Sequence, residues 1–519
     1  MYLTQALHRA VQQHPERDAL RFGERRQTFR QFADRVARLA AALQTLGLQA
    51  GDRVAMLALN SDRYLEYQMA VPWAGGVLNP CNTRWSAAEI LYSLEDSGST
   101  ILLVDDAFSA LAATFRAQSG SLREIIHCGD GATPTGMQGY EALIANAAPV
   151  PDALRRGEDL AGIFYTGGTT GFPKGVMLSH TNLCSSALAL RADGVAVPDG
   201  VYLHAAPMFH LADMGMATAH WIEGNTHVVL PAFSPDAVLS AIERERVSHM
   251  LLVPTMIQML VDHPAMREPR DLSSLQAILY GASPISEAVL DRAMAALPGV
   301  GFVQAYGMTE LSPLATVNPA WFHTAEGRKR GKLRSAGRAG FCTEVRIVDG
   351  DGLEVPRGTV GEVAVRGPNV MQGYWNKPEQ TAQAVRDGWM HTGDGAWMDE
   401  DGFIFVVDRL KDMIISGGEN VYSGEVENAL AQHPAVQACA VIGIPSERWG
   451  EAVHAVVVAK PGLAATPDAL IAHCKSLIAG YKCPRSIAFI DALPLSGAGK
   501  VLKTALRDPH WQGRARGIA

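Results

Sequence analysis

The stretch FYTGGTTGFPKGVMLSH, residues 164–180, combines small, hydroxylated and cationic residues in a pattern suited to binding an anion. Glycines allow backbone N–H groups to converge on one point, and Thr166, Thr169 and Thr170 add hydroxyl donors. Lys174 supplies a positive charge for phosphate. A Walker loop requires Gly-Lys followed directly by Ser or Thr, whereas here Phe-Pro precedes the lysine and glycine follows it. The pattern therefore predicts a phosphate loop of another kind, with a flexible surface loop as the alternative.

Four further stretches carry polar groups on turns or glycine-rich loops. QAYGMTE (304–310) places an aromatic residue, a glycine, a threonine and a carboxylate after a predicted strand, and HTGD (391–394) ends in a carboxylate. DRLKDMIISGGEN (408–420) has a charge cluster before paired glycines, and PLSGAGKVLK (494–503) isolates one lysine on a glycine-rich loop. Each stretch alone is more typical of an ordinary turn than of a site. Their significance depends on their occurring together.

The composition places the chain among large globular proteins. Its 519 residues are 48% hydrophobic, enough for the cores of at least two domains. A net charge of −8 disfavours nucleic acid as the main partner. Seven scattered cysteines without a C-x-x-C pair favour reduced thiols and a cytoplasmic location, and the histidines lack the spacing of a structural zinc site.

We expect neither a signal peptide nor a membrane span. The N-terminal residues carry charges throughout, without the apolar block of a signal peptide. No run approaches the roughly 20 apolar residues that a transmembrane helix needs. Peripheral contact with a membrane surface and a homodimer both stay open.

The hydrophobic pattern predicts alternating helices and short buried strands over most of the chain. Apolar residues at three- and four-residue steps predict helices over 2–14 and 29–48. The predicted strands are DRVAMLAL, TILLVDD, HVVLPAF, HMLLVP, AILYGAS and VGFVQAYG. This alternation indicates α/β layers with mainly parallel sheets.

The pattern changes twice in the last third of the chain. After about residue 340, short strands broken by glycine and charge, with Asp-Gly pairs at hairpin positions, predict a β-rich subdomain. Beyond residue 412 we expect a compact α+β segment, with a helix over 425–433, strands QACAVIGI and AVHAVVVAK, and a helix from Pro467. We therefore predict an α/β protein with a large domain, 1–408, and a small C-terminal domain, 409–519, which meet at Arg409–Lys411.

Together and in this order, the five motifs resemble those of the adenylate-forming superfamily, which includes acyl- and aryl-CoA synthetases, firefly luciferase and peptide-synthetase adenylation domains. The resemblance runs from the first helix to the last lysine. It implies that a carboxylate attacks the α-phosphorus of Mg-ATP to give an acyl-adenylate, and that a thiol, usually that of coenzyme A, then displaces AMP. It also implies a mobile C-terminal domain. Such chemistry needs anion-binding groups and a cation more than a general base.

The resemblance implies a role for each residue at a matched position. The residues expected to contact ATP or coenzyme A, or to serve the hinge, are Thr166, Gly167, Gly168, Thr169, Thr170, Gly171 and Lys174 for the phosphates; Gly281, Ala282, Ser283, Tyr306 and Gly307 around the adenine; Asp394 for the ribose; Arg409 for the ribose or a phosphate; Lys411 for the hinge; and Gly417, Gly418, Trp449, Lys482 and Arg485 for coenzyme A. Two small departures, Gly168 for a common serine and Ala498 for a common threonine, predict weaker phosphate binding at most.

Four residues are expected to take part in catalysis. Thr309 would contact the α-phosphate, and Glu310 would hold Mg²⁺, a hard cation that prefers oxygen ligands. Lys500, charged at neutral pH, would bridge the attacking carboxylate and the α-phosphate, with a solvated tail lysine as the alternative. His210 would border and gate the acyl pocket, unless it is structural.

The acid is only partly determined by the sequence. Relatives that activate amino acids anchor the ammonium with an aspartate where this chain has His210, although Asp213 is close enough to leave doubt. No carrier-protein segment follows the last motif, which favours a free-standing CoA ligase. Overall the chain looks most like fatty-acyl-CoA synthetases of medium to long chain, then like aryl ligases of the benzoate or coumarate type. A carrier-loading protein that forms acyl-AMP without a CoA step is the remaining alternative.

Overall fold

The computed structural model describes residues 1–167, 173–283, 285–409, 412–417, 419–463, 465–496 and 501–512. Two large sheets, a smaller antiparallel sheet and a separate C-terminal sheet organise these residues. The two large sheets are mainly parallel, as the alternating pattern predicts. The expected class, an α/β protein with a β-rich subdomain and a small α+β domain, is confirmed.

The first large sheet has eight strands. In spatial order they are Gly373–Tyr374, Lys174–Ser179, Leu160–Thr166, Val77–Pro80, Arg53–Leu57, Ser99–Val104, Glu124–His127 and Gln138–Gly139. The first two pairings are antiparallel and the other five are parallel. The central strands are runs of Val, Ile, Leu and Ala, which suits a sheet buried on both faces.

The second large sheet has nine strands. In spatial order they are Arg338–Ala339, Thr316–Asn318, Gly301–Tyr306, Ala277–Gly281, His249–Leu252, Val201–His204, Thr226–Val229, Asp18–Phe22 and Arg25–Thr28. The six central strands from Gly301–Tyr306 to Asp18–Phe22 pair in parallel, and the strands at both edges pair antiparallel. This arrangement aligns the carboxyl ends of the central strands along one edge of the sheet.

The two remaining sheets belong to the last third of the chain. The strands of the small antiparallel sheet are Glu344–Val348, Gly361–Arg366, Trp389–Met398 and Val385–Arg386, with Ile404–Arg409 also paired to Trp389–Met398. Those of the C-terminal sheet are Glu419–Val421, Ile414–Ser416, Gly450–Ala459, Val436–Ser446 and Ser486–Phe489. The chain passes from one sheet to the other between Arg409 and Ile414, where the sequence predicts the domain boundary.

The helices cover the sheets, and many begin at a capping residue. The α-helices are Gln5–Gln13, Phe29–Thr45, Asp62–Trp73, Ala87–Ser97, Ser109–Gln118, Tyr140–Asn146, His180–Ala192, Leu211–Glu223, Pro235–Glu245, Pro254–Val261, Glu287–Ala296, Ala325–Arg328, Pro378–Ala384, Ser423–Ala431, Pro467–Leu477 and Lys503–Trp511; the 3₁₀ turns are Pro264–Arg267, Thr309–Leu311 and Ala320–His323. At Phe29–Thr45, the Thr28 hydroxyl accepts from the Gln31 N–H and the Gln31 amide oxygen accepts from the Thr28 N–H.

One helix, Asp62–Trp73, lies between the two large sheets. Every residue in it is buried, and it packs against the helix Phe29–Thr45 and strands of both sheets. It carries Glu66 into the core, where Arg35 binds the carboxylate with an Nε–Oε1 distance of 2.6 Å. The ion pair compensates the burial of both charges. Among the described residues, no helix is long and apolar enough to cross a membrane.

A group of buried histidines links the centre of the nine-stranded sheet to the helix Leu211–Glu223. His204 places Nδ1 2.7 Å from Oδ2 of Asp213 and Nε2 2.9 Å from Nδ1 of His227. Tyr202 donates its hydroxyl to the other oxygen of Asp213 at 3.0 Å. Burial lowers the pKa of His227 well below 6.5. His227 is therefore a neutral imidazole in the folded state.

We expect the stability of the protein to fall between pH 6.5 and pH 4. Burial lowers the pKa of His249 and of His323 to about 4. A histidine with a depressed folded pKa binds its proton more readily when unfolded, so its stabilisation is present above pH 6.5 and is lost as the pH falls towards 4. Each group would cost on the order of 3 kcal/mol across this window. Thermal unfolding at pH 7, 6, 5 and 4 measures the effect; His249→Gln should reduce the slope, and a pH-independent Tm would contradict the expectation.

Candidate active site

The candidate active site lies at the carboxyl ends of two parallel neighbours, the strands Ala277–Gly281 and Gly301–Tyr306. Parallel α/β sheets commonly bind ligands at this edge. Tyr306 ends the second strand, and the 3₁₀ turn Thr309–Leu311, with the predicted catalytic residues Thr309 and Glu310, follows it directly. The antiparallel sheet adds Asp394 from the side, since the hydroxyl of Tyr306 donates to Oδ2 of Asp394 at 2.8 Å.

Asp394 is almost fully buried and has a partner at each carboxylate oxygen. Arg409 lies opposite it on the paired strand, with its Nε 3.2 Å from Oδ1 of Asp394. Burial, and then the nearby Asp394 carboxylate, raise the pKa of Tyr306 well above 10, so the phenol stays a neutral donor. The Arg409 side chain is 46% exposed, so its guanidinium also reaches solvent. Three residues predicted to serve the adenosine are therefore in direct contact.

A second cluster surrounds Tyr374. Its hydroxyl donates to Oε1 of Glu310 at 2.8 Å, and the Nζ of Lys174 lies 5.0 Å from the centroid of its ring. Burial raises the pKa of Glu310, an effect that the hydrogen bond from Tyr374 opposes. Tyr374 thus connects the predicted metal ligand with the lysine of the phosphate loop. The sequence analysis missed it, because it stands on the two-residue strand Gly373–Tyr374 outside every motif.

The donor set around Glu310 fits a Mg²⁺ ion. A buried carboxylate near the lysine that the sequence predicts to bind phosphate offers the hard oxygen ligand that Mg²⁺ shares with nucleotide phosphates. The ion, when bound, would neutralise phosphate charge. Thr166 and Lys174 lie opposite each other at the ends of two antiparallel strands, so the predicted phosphate loop begins and ends at one place.

The turn after the strand Ala277–Gly281 is tightly packed. A Cβ at Gly281 would lie 2.2 Å from the carbonyl oxygen of Ala305, and one at Gly307 would lie 1.9 Å from that of Pro313. Both glycines are therefore required by close backbone contacts, whatever they contribute to adenine binding. Ala282 has a φ of 66°, a left-handed conformation that costs about 1–2 kcal/mol for a residue with a side chain. Such strain is frequently found at binding sites.

His210, at the end of the PMFH turn, directly precedes the helix Leu211–Glu223, and the centroid of its ring lies 4.1 Å from that of Phe209. Asn60, which no sequence pattern indicated, holds this turn: its amide oxygen accepts from the N–H of Met208 and its NH₂ donates to the carbonyl of Ala206, both at 2.8 Å. Asp213 instead lies in the core with Tyr202 and His204, so its carboxylate is not presented to a substrate ammonium.

The C-terminal domain brings Gly417, Trp449 and Arg485 together. The N–H of Gly417 donates to the carbonyl of Trp449 at 2.8 Å, and a Cβ at Gly417 would lie 2.9 Å from the indole. The guanidinium carbons of Arg448 and Arg485 lie 4.6 and 5.4 Å from the indole centroid. Arg448 was not predicted. An indole with two guanidinium groups near its ring, beside a glycine turn, is a surface that suits a phosphorylated ligand.

Lys482 is engaged within its own domain. Its Nζ lies 2.8 Å from both oxygens of Glu425. Binding of a coenzyme A phosphate by Lys482 therefore requires that this ion pair be shared or broken. The other predicted site residues, Gly168, Thr169, Thr170, Gly171, Lys411, Gly418 and Lys500, lie outside the described residues, and their roles stay predictions.

Comparison with known proteins agrees with the motifs. Residues 7–375 match the model of the AMP-binding enzyme family, and residues 425–500 match that of the AMP-binding enzyme C-terminal domain. A feruloyl-CoA synthase from an Amycolatopsis species is 43% identical over 500 residues, covering 96% of this chain and 97% of that protein. A fatty acid–[acyl-carrier-protein] ligase from Streptomyces coeruleorubidus is 35% identical over 512 residues, covering 98% and 96%.

A solved structure shares the fold over the full length of the chain. The ATP-bound MatB of Rhodopseudomonas palustris superimposes with a TM-score of 0.88 at 31% identity, covering 98% of this chain and 99% of that one. The chain belongs to the AMP-binding enzyme family, which confirms the adenylate-forming superfamily inferred from the motifs. It is an ATP-dependent, AMP-forming acyl-CoA ligase that acts on a small-molecule acid. Its other reactants are ATP and coenzyme A, and its metal ion is Mg²⁺.

We expect Asp394→Asn to raise the KM for ATP by roughly 10- to 100-fold, because hydrogen bonds to a charged group are worth about 1.5–3 kcal/mol. The amide keeps the shape of the carboxylate but loses its charge beside Arg409 and one acceptor for the ribose. Pyrophosphate release at varied ATP concentrations measures the effect. The matched control is Asp387→Asn. Asp387 lies in an exposed turn just before the same strand, and asparagine tolerates its φ of 51°. An unchanged KM in both variants would remove Asp394 from the nucleotide site.

Proposed function

We propose that the ligase activates an aromatic monocarboxylic acid of the hydroxycinnamate or benzoate kind and transfers the acyl group to coenzyme A. The observation that carries the proposal is the 43% identity to a feruloyl-CoA synthase over nearly the whole of both chains. A medium- or long-chain fatty acid, which the sequence analysis placed first, is the second candidate, supported by the 35% identity to a ligase of fatty acids. Both acids are apolar and lack an ammonium group.

The contacts of Asp213 support an acid without an ammonium group. Anchoring a substrate ammonium requires an accessible carboxylate beside the acyl pocket. Asp213, the nearest acidic residue to His210 in the sequence, is fully buried and accepts from Tyr202 and pairs with His204. The residues that flank His210 and Asp213 in the sequence are buried and apolar: Met208, Phe209, Leu211 and Met214. We expect no activity on amino acids.

In the first half-reaction, a carboxylate oxygen of the acid attacks the α-phosphorus of ATP, and the bond from that phosphorus to pyrophosphate breaks. Asp394 and Arg409 would hold the ribose, with Tyr306 fixing the orientation of the carboxylate. Lys174 and Thr166 would bind the departing phosphates from opposite ends of the loop. The ammonium of Lys500 would offset negative charge at the reacting oxygens. Positioning and charge stabilisation together would supply the rate.

In the second half-reaction, the thiol of coenzyme A loses its proton and attacks the acyl carbon, and the bond from that carbon to AMP breaks. Gly417 and Trp449 would border the path of the pantetheine arm, and Arg448 and Arg485 would meet phosphates of the coenzyme. His210 would border the acyl group. These roles rest on the cluster around Trp449 and on the place of His210 at a helix start.

Pyrophosphate release and acyl-CoA formation across a panel of acids test the proposal. The panel contains ferulate, coumarate, benzoate, octanoate, palmitate and several amino acids, each with and without coenzyme A. We expect kcat/KM for one aromatic acid to exceed that for every fatty acid by at least tenfold. A fatty acid that leads the panel supports the second candidate and overturns the aromatic assignment. If activity with an amino acid exceeds the activity with every aromatic and fatty acid, the proposal of an apolar acid as the substrate is wrong.

The same experiment separates a coenzyme A ligase from a carrier-loading protein. Acyl-CoA should accumulate with a rate comparable to pyrophosphate release when coenzyme A is present. In the alternative, pyrophosphate would be released with acid alone, no acyl-CoA would form, and a purified phosphopantetheinylated acyl carrier protein would be acylated instead.

A further inference from the structure

The strand Trp389–Met398 contains a bulge at the point where it presents Asp394. The register of its pairing with the strand Gly361–Arg366 shifts there, so residues 392–394 together lie opposite Val363 alone. A bulge bends its strand and changes the direction of a side chain, and bulges are common beside active sites. The side chain that this bulge directs is the carboxylate predicted to bind the ribose of ATP. Groups that hold the bulge in shape therefore determine where that carboxylate lies.

The carboxylate of Glu362, on the neighbouring strand, holds the bulge from one side. Its Oε1 accepts from the N–H of Gly393 at 2.8 Å, and its Oε2 lies 2.8 Å from Nδ1 of His391. Arg386 adds a longer contact, with its Nη2 3.4 Å from the same Oε2. The Glu362 side chain is only 16% exposed, so these contacts are partly shielded from water. One carboxylate thus contacts the residues on both sides of Thr392.

Thr392 holds the bulge from within. Its hydroxyl donates to the carbonyl of Val363 at 2.9 Å and accepts from the N–H of Asp394 at 3.2 Å. Thr392 is buried, and Gly393 after it has a φ of 72°, which glycine adopts without strain. The N–H groups of Gly393 and Asp394 therefore each donate to a side chain, one on the neighbouring strand and one inside the bulge.

Other residues hold the carboxylate group of Asp394 itself. Tyr306 donates to its Oδ2 at 2.8 Å, and the Nε of Arg409 lies 3.2 Å from its Oδ1. These contacts orient the end of the side chain, whereas Glu362 and Thr392 fix the backbone that carries it. We propose that Glu362 and Thr392 are positioning residues, which hold Asp394 in the arrangement that binds the ribose hydroxyls. The proposal rests on the proposed role of Asp394 at the ribose.

The expected effect is a loss of discrimination between ATP and 2′,3′-dideoxy-ATP, which lacks both ribose hydroxyls. A carboxylate that accepts from these hydroxyls should give the unchanged enzyme a preference for ATP of at least about 30-fold in kcat/KM. Glu362→Ala and Thr392→Val should each lower this preference at least fivefold, because the carboxylate is no longer held in place. The KM for the acid should change less than threefold. Pyrophosphate release with the acid that leads the panel measures these quantities.

Two further variants test the chemistry of the contact. Glu362→Gln keeps an oxygen for the N–H of Gly393, and its NH₂ can donate to Nδ1 of His391 in the tautomer that accepts there. We expect it to keep the preference for ATP within about twofold of the unchanged enzyme. Glu344→Ala is the matched control, because it removes an exposed glutamate that pairs with Arg366 in the same antiparallel sheet. It should leave the preference and both KM values unchanged.

A reduced preference for ATP in Glu362→Ala and Thr392→Val, with restoration in Glu362→Gln, supports the positioning role. An unchanged preference in either folded variant overturns the role of that residue, whether or not its Tm is lower. A reduced preference that comes with an equal rise in the KM for the acid marks a general disturbance of the site and overturns the proposal. If Glu362→Ala does not fold, Thr392→Val, which keeps the shape of the side chain, decides the outcome.

Asp394→Asn is measured in parallel to separate this proposal from the proposed role of Asp394. We expect Asp394→Asn to lower the preference for ATP at least tenfold. If it does so while folded Glu362→Ala and Thr392→Val keep the preference, the positioning role alone is rejected. If Asp394→Asn keeps the preference, the proposed role of Asp394 at the ribose is wrong, and the positioning role is overturned with it.

Discussion

Lys500→Ala is expected to lower the rate of acyl-adenylate formation by about 10²–10³-fold, because losing one group that stabilises charge in the transition state commonly costs about 3–4 kcal/mol. Thioester formation from supplied acyl-AMP should stay within a few-fold of the unchanged enzyme. A lysine on the C-terminal domain can serve the first half-reaction only, if that domain turns away before the second. Leu495 and Val501, on either side of the predicted glycine-rich loop, form an antiparallel bridge within that domain.

Single-turnover pyrophosphate release and acyl-CoA formation from synthetic acyl-AMP measure the two steps separately. Lys500→Arg is the companion variant, since it keeps a charge of different shape and should recover part of the first step. Equal loss in both steps would assign Lys500 a structural role, and no loss would make it a solvated lysine.

Lys411→Pro should leave acyl-adenylate formation within about tenfold and reduce thioester formation by at least ~10²-fold, or roughly 2.7 kcal/mol in the barrier. The site must first hold ATP and later admit a thiol to the same carbon from another direction. Lys500 and the turn before Trp449 are on one small domain and are needed near that carbon at different times. Proline fixes φ near −65° and removes a backbone donor, so it would hold one arrangement of the domains.

In the sequence, residue 411 stands between two described strands that belong to different sheets. Arg409 is the last residue of a strand in the large domain, and Ile414 is the first of a strand in the C-terminal sheet. Lys411→Ala removes the charge without fixing φ and should leave both steps near normal. If both steps fall together in the folded proline variant, or neither falls, residue 411 is an exposed charge in a turn rather than the hinge.

The sequence was sufficient for the architecture because the central residues of its strands are buried and apolar. Runs such as AILYG and VGFVQAY must lie inside a sheet covered on both faces, which predicts parallel pairing and places Gly281 and Tyr306 at one edge. The observed strands are shorter than the predicted ones at several ends. Of the stretch HVVLPAF (227–233), for example, only residues 227–229 lie in the observed strand Thr226–Val229, because the chain turns away at Leu230 and Pro231.

The helix Asp62–Trp73 shows where periodicity gives no signal. It is buried on all sides, so its apolar residues follow no 3.6-residue repeat. Its charged residues find partners that are distant in sequence, such as Arg35 with Glu66 and Arg25 with Asp62. Only the assembled fold reveals that these charges are compensated.

Only some residues of the candidate site could be predicted from the sequence. Tyr306, Asp394 and Arg409 stand in motifs, and the structure brings them into contact. Tyr374 and Asn60 stand outside any motif, and each acts through a contact made by folding: a hydroxyl on Glu310 and an amide on the turn before His210. No local pattern distinguishes such a residue from other polar residues in loops.

The two buried phenols have a consequence for alkaline solutions. The pKa of Tyr306 and that of Tyr374 are both raised well above the ordinary value, first by burial and then by a neighbouring carboxylate. Neither hydroxyl would ionise in buffers up to about pH 10, where an exposed tyrosine begins to do so. The hydrogen bonds that orient Asp394 and Glu310 would therefore persist there. Any decline of ATP binding at high pH would report on groups other than these tyrosines, and the lysines predicted to bind the nucleotide are among those groups.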